Sequence, residues 1–186
     1  MSKLIEKAAD PETLAMDLML KLVELIEKHA GGRCRSFSRR ASELPQIILQ
    51  TGLTPATLFY MSKIESEPLL NELVNVVTGR TTDQQSKEIK TKLVDECGGE
   101  GKGYTLGLVT IYYALVTMSR MGMLLEASEE CRKVLEGERH AGIAMLKCLK
   151  IVREQGVEMY VENMLQPYLI AIKRMAEALY KERKSS

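Results

Sequence analysis

Four arginines lie close together near residue 35, and this cluster is the clearest chemical signal in the sequence. They are Arg33, Arg35, Arg39 and Arg40. No acidic residue occurs between Ala30 and Ser42. A guanidinium binds phosphate through two parallel hydrogen bonds, and free N–H groups at a helix start add to an anion site. The cluster therefore predicts contacts to a nucleic-acid backbone, with a solvated face or pairing to acids such as Glu43 as the open alternative.

A second basic group lies near the C-terminus. Its members are Lys173, Arg174, Lys181, Arg183 and Lys184. Charged tails also serve solubility, so this group is the weaker signal. The chain has a net charge of +1, and no global field draws it to nucleic acid or membrane. With no Trp and only two Phe, base stacking is not indicated, which favours contacts to the nucleic-acid backbone.

Other chemistries find few candidate residues. The two histidines, His29 and His140, have no ExxH partner motif for a di-iron bundle site. The GGEGKG stretch at 98–103 departs from the phosphate-binding GxxxxGK[ST] pattern and is better explained as a flexible link. We therefore predict no catalytic residue, metal site or cofactor. A small helical enzyme remains as a rival, which would need a pocket of titratable groups.

Cysteine spacing and apolar runs bear on the compartment. Four cysteines without a CxxC pair predict free buried thiols in a reducing compartment. Met1–Asp10 lacks the apolar region of a secretory signal. The apolar run Leu106–Met118 is shorter than the roughly 20 residues that cross a bilayer. We therefore expect a cytoplasmic protein that does not cross a membrane.

Helix signals divide the chain into short blocks. Asp10-Pro11 and Ser66-Glu67-Pro68 are start signals, and Thr54-Pro55 resembles them. Pro45 should kink or restart the second helix, and Thr81 or Thr82 should cap the fifth. No alternating β-branched run occurs between turn signals. The pattern predicts an all-α, single-domain bundle of about seven to nine helices over 1–186, with a division into two lobes at the flexible loop 98–103 as the alternative.

One stretch resembles a known family. Residues 35–63 read RSFSRRASELPQIILQTGLTPATLFYMSK, with a Leu-Pro, Gly-Leu, Leu-Phe and Ser-Lys skeleton in a specific order. This stretch resembles the small all-helical subunit of the type III-B CRISPR RNA-silencing complex, the Cmr complex. The run at 168–179 is similar to that family's closing helix.

The resemblance implies a non-catalytic role in antiviral defence. It implies stacking with further copies of the chain as a minor filament, beside other Cmr-complex subunits, along guide RNA and target RNA. Base pairing with the guide supplies sequence specificity, so such a subunit should contact RNA through phosphates. The four arginines fit this role, with Lys63, Lys173 and Arg174 as secondary contacts. A protein–protein scaffold or adaptor without nucleic-acid binding is the alternative.

Overall fold

The structure, a computed structural model, describes residues 10–81, 86–98 and 102–180. Within these ranges it contains nine α-helices, one 3-10 turn and no strand, which confirms the all-α prediction. The helices are α1 Pro11–Ala30, α2 Arg35–Thr51, α3 Leu53–Met61, α4 Glu67–Val77, α5 Lys87–Gly98, α6 Tyr104–Arg120, α7 Ser128–Gly137, α8 Ala141–Glu154 and α9 Glu158–Tyr180. The 3-10 turn Leu125–Ala127 precedes α7.

Local capping signals fix two of the helix starts as the sequence predicts. The Asp10 carboxylate accepts a hydrogen bond from the Thr13 N–H at 2.9 Å and opens α1. That bond and a second one from the Thr13 hydroxyl lower the pKa of Asp10. The Ser66 hydroxyl likewise accepts from the Leu69 N–H at the start of α4. Gly31, with φ of 66°, ends α1 in the left-handed conformation that glycine favours.

Other helix boundaries differ from the sequence prediction because distant side chains supply the caps. α3 begins at Leu53, not after Thr54, since the Leu53 N–H donates to the Glu162 carboxylate of α9 at 2.5 Å. The predicted cap at Thr81 was wrong, because Ser86 caps α5 through the Ile89 N–H. Thr82 lies outside the described residues.

Helix α2 continues through Pro45 to Thr51 instead of restarting there. Pro45 removes one backbone donor. Its carbonyl accepts from the Gln166 side chain of α9 at 3.1 Å, so the neighbouring helix covers this turn.

Helix α6 lies at the centre of the bundle. All but two of its residues are buried, and it packs against α1, α2, α3, α4 and α7. Gly107 allows the closest approach, because a Cβ there would lie 2.5 Å from the ring of Tyr60. The run Leu106–Met118 is thus a core helix. In the part of the chain that the structure describes, no single helix has the length and hydropathy to cross a membrane, although α6 with 125–137 meets that test as a pair bent by 95°.

Helix α9 closes the bundle by packing along α1 and α2. It runs antiparallel to α2: Tyr180 stacks near Phe37 at the start of α2, while Glu162 reaches Leu53 just beyond its end. The apolar core draws residues from all nine helices. The closing helix therefore fixes the position of the arginine-bearing helix.

The prediction of free thiols was wrong. All four cysteines form disulfides, Cys34–Cys97 and Cys131–Cys148, and all four are buried. The first joins the start of α2 to the end of α5, and the second joins α7 to α8. Their separations of 63 and 17 residues gave no motif, because only the fold brings the partners together.

Candidate nucleic-acid interface

The start of α2 is held against the α5–α6 junction by three kinds of contact. The Cys34–Cys97 disulfide is covalent, and the Ser36 hydroxyl donates to the Glu96 carbonyl at 2.6 Å. Gly103 packs so closely that a Cβ there would lie 2.5 Å from the Ser36 carbonyl oxygen. Ser36 and Phe37 are buried, so this helix start faces the junction and not open solvent. The arginines around it therefore project from a firmly anchored turn.

Arg40 points into the molecule, unlike the other arginines of the cluster. Its side chain is 7% exposed, and its guanidinium lies 4.0 Å from the centroid of the Tyr104 ring. It donates to the Lys102 carbonyl at 3.1 Å and to the Glu43 carboxylate at 2.6 Å. Its charge is thus used inside the fold, and this corrects the expectation that Arg40 meets RNA together with its neighbours.

Three arginines lie on the exposed side of α2's start: Arg33, Arg35 and Arg39. Arg39 pairs with Glu43 at 3.2 Å while its side chain stays 57% exposed. The structure therefore contains pairing with Glu43 and also a solvated basic face. Glu43 pairs with Arg39 and Arg40, but Arg39 remains exposed beside the other two exposed arginines. We name Arg33, Arg35 and Arg39 the arginine edge.

Glu96, at the end of α5, packs against the start of α2, and the sequence did not single it out as a functional residue. The side chain is buried, and it accepts the Thr105 N–H at 2.9 Å, so it caps α6 from the end of α5. Burial raises the pKa of this carboxyl above its ordinary value, although several N–H groups of α6 oppose the shift. No local motif marks it, because donor and acceptor belong to different helices.

Lys63 lies at an aromatic cluster beside the buried Arg40. Its ammonium is 5.8 Å from the ring centroid of Phe59, one turn earlier in the chain. Phe59 packs edge-to-face on Tyr60 and Tyr104, and the Tyr60 hydroxyl donates to the Arg40 carbonyl at 3.0 Å. Burial raises the pKa of Tyr60 far above its ordinary range, so its hydroxyl is neutral. Lys63 and Arg40 thus contact the same aromatic cluster, Lys63 at Phe59 and Arg40 at Tyr104.

Lys173 and Arg174 lie on α9. Lys173 is half-buried and Arg174 is exposed. Arg174 lines a groove of about 480 Å³ between α9 and the start of α1, where Asp10 and Glu12 supply negative charge. This groove is not lined by the arginine edge. The remaining basic residues of the C-terminal group, at 181–184, lie outside the described residues.

Across 10–81, 86–98 and 102–180, no group of three His, Cys, Asp or Glu side chains is arranged to hold a metal ion. His140 faces Glu67 at 3.2 Å at the start of α8.

One comparison with known proteins gives a match over part of the chain. The model of a family described as CRISPR-associated protein (Cas_Cmr5) matches residues 14–99, just under half of the chain. The resemblance to the Cmr small subunit is confirmed. This matched stretch, the Cas_Cmr5 region, extends from within α1 to the end of α5 and includes the arginine edge and Lys63. No curated protein and no solved structure matches the chain.

Proposed function

We propose that this chain is a non-catalytic subunit that contacts guide or target RNA through backbone phosphates at the arginine edge. The observation that carries the proposal is an exposed basic edge inside the Cas_Cmr5 region, on a helix start fixed by the Cys34–Cys97 disulfide. Because the backbone of this turn is already anchored, binding need not order it, which favours affinity.

Phosphate contact fits the charge distribution. With a net charge of +1, the chain has no overall attraction for RNA, so binding must come from a local group. Guide pairing supplies sequence specificity, and a subunit beside the paired strands needs only backbone contacts.

We also propose that copies of the chain stack head to tail as a minor filament in the cytoplasm. A heterologous contact that does not close generates a filament, and it requires two different complementary surfaces. Several apolar side chains on different helices are largely exposed and suit such surfaces. They include Leu49 of α2 and Met159 of α9.

These same side chains favour a second candidate function, a protein–protein scaffold without RNA contact. Salt separates the two. RNA affinity through phosphates falls log-linearly with salt concentration, whereas apolar docking depends on it weakly.

The test of RNA contact is charge reversal at the arginine edge. We expect Arg35→Glu with Arg39→Glu to weaken binding of the full chain to a single-stranded RNA oligonucleotide, measured by fluorescence anisotropy across a salt series. Log affinity falls as log salt rises, and losing two phosphate contacts should make this negative slope shallower by about 1.4.

The matched control reverses two exposed charges elsewhere, Lys150→Glu with Arg153→Glu on α8. Both double variants change the net charge equally, so only the position differs. Equal loss in both would show a general charge effect, and unchanged affinity and slope in the α2 variant would remove the arginine edge from the RNA surface.

A further inference from the structure

We propose that Phe59 is a stacking platform for an unpaired nucleobase, with Lys63 placed to hold an adjacent phosphate. This inference rests on the proposed RNA contact and adds a second mode of recognition to it. The ligand class is single-stranded RNA with at least one base free of the duplex.

The ring of Phe59 is both exposed and held in place. Phe59 is 43% exposed. Its centroid lies 5.9 Å from that of Tyr60 and 6.0 Å from that of Tyr104, at interplanar angles of 69° and 80°. Since both neighbours are buried, these edge-to-face contacts fix the ring while part of it meets solvent.

The charge around this ring suits a nucleotide. Lys63 is exposed, with its ammonium 5.8 Å from the ring centroid. The nearby acids are already engaged, since Glu65 pairs with Lys102 at 3.2 Å and Glu43 pairs with Arg39 and Arg40. A base on the ring and a phosphate on Lys63 would thus meet a local positive charge.

Position links this platform to the arginine edge. Phe59 packs on Tyr104, and the Arg40 guanidinium lies 4.0 Å from the same Tyr104 ring. Arg39 of the arginine edge pairs with Glu43, the same carboxylate that pairs with Arg40. The proposal therefore has one single strand contact the edge through phosphates and Phe59 through a base, the combination that single-strand binding sites use.

The scarcity of aromatic residues in the sequence argued against base stacking. The structure changes that expectation because it gathers Phe59, Tyr60 and Tyr104 from two helices at one site. One exposed ring is enough to stack one base, and the rings of Tyr60 and Tyr104 hold the Phe59 ring in position for it.

The chain offers a clean reporter, because it contains no Trp. Phe59→Trp introduces a single indole at the proposed platform, and Leu20→Trp places one on an exposed site of α1 as a control. The full-length variants are titrated at low salt with a single-stranded oligouridylate, following both Trp fluorescence and the anisotropy of the same RNA carrying a dye. A blunt RNA duplex is the second probe.

We expect quenching of the residue-59 indole by the single strand, saturating together with the anisotropy change. Quenching should be much smaller with the duplex, where bases already stack on each other, and absent for the residue-20 indole. Phe59→Leu, which keeps apolar volume but removes the aromatic face, should lower affinity about tenfold, while Phe59→Tyr should retain it.

The outcomes separate the two proposals. If the RNA binds with sensitivity to Arg35→Glu and Arg39→Glu, yet the residue-59 indole is not quenched and Phe59→Leu binds normally, the stacking proposal is overturned and phosphate contact stands. If the unmodified chain binds no RNA, both fail. Should Phe59→Leu not fold by circular dichroism, the indole titration alone decides.

Discussion

At the scale of single residues, the partner of a charged side chain decides what it can do. Arg39 and Arg40 are neighbours in the chain, yet one is exposed and the other lies between Tyr104, Lys102 and Glu43. Helical spacing placed Arg40 beside the apolar stripe of α2. Its burial could not be predicted, because the residues that cover it come from beyond residue 100.

Glu96 offers a prediction about pH. Burial raises the pKa of this carboxyl in the folded state above the ordinary value of 4.5, so folding favours its protonated form. Its contribution to stability is greatest below pH 4.5 and is lost as the pH rises through the folded pKa. We expect Glu96→Gln, which keeps an oxygen for the Thr105 N–H but cannot ionise, to gain stability relative to the unmodified protein as pH rises from 4 to 8.

The measurement is the free energy of unfolding in urea at several pH values. Glu96→Ala is the control: it cannot ionise either, so its stability should follow the same pH dependence as that of Glu96→Gln, but it removes the cap of α6 and should be about 1 kcal/mol less stable than Glu96→Gln at every pH. If Glu96→Gln instead loses stability relative to the unmodified protein as pH rises, the fold prefers the ionised carboxylate.

At the scale of helices, the origin of each cap explains which boundaries the sequence predicts. Asp10 and Ser66 cap the helices that follow them, so a local pattern suffices. Glu162 and Glu96 cap α3 and α6 from other helices, and those contacts exist only after folding. Helix existence and the exposed position of most of the arginine cluster were therefore predictable, whereas the start of α3 at Leu53 and the buried Glu96 were not.

The disulfides also act between helices, and their removal gives a prediction about stability. Closing a loop lowers the entropy of the unfolded chain, and the effect grows with loop length. For the 63-residue separation of Cys34 and Cys97, we expect the double Ala variant to lose roughly 4 kcal/mol in unfolding free energy. The 17-residue separation of Cys131 and Cys148 should be worth roughly 3 kcal/mol.

Urea denaturation with and without a reducing agent tests this directly. The reductant should destabilise the unmodified protein and leave a variant that lacks all four cysteines unchanged. Loss of Cys34–Cys97 should also weaken RNA binding at the arginine edge, while loss of Cys131–Cys148 should not. If neither the reductant nor the Ala pairs alter stability, these cysteines are thiols in solution.

At the scale of the whole molecule, the Cas_Cmr5 region and the folded core have different limits. The family match ends at residue 99, yet α6 packs against four helices of that region and α9 packs along two of them. The sequence left a two-lobed chain divided at 98–103 as an alternative. Helix α9 follows that division in the chain but packs against helices that precede it, because it begins beside α3 and ends beside the start of α2.

This packing predicts that both halves unfold together. Leu20→Trp places a reporter on α1 and Ile143→Trp places one on α8, each at an exposed position. Because the core is continuous from α1 to α9, their urea midpoints should coincide with each other and with the loss of helical circular dichroism. Separate midpoints would instead show two lobes, with α7 and α8 opening independently of the helices that carry the arginine edge. Coincident midpoints would mean that a substitution in the unmatched second half can weaken RNA contact through stability alone, so every binding variant needs its unfolding free energy measured beside it.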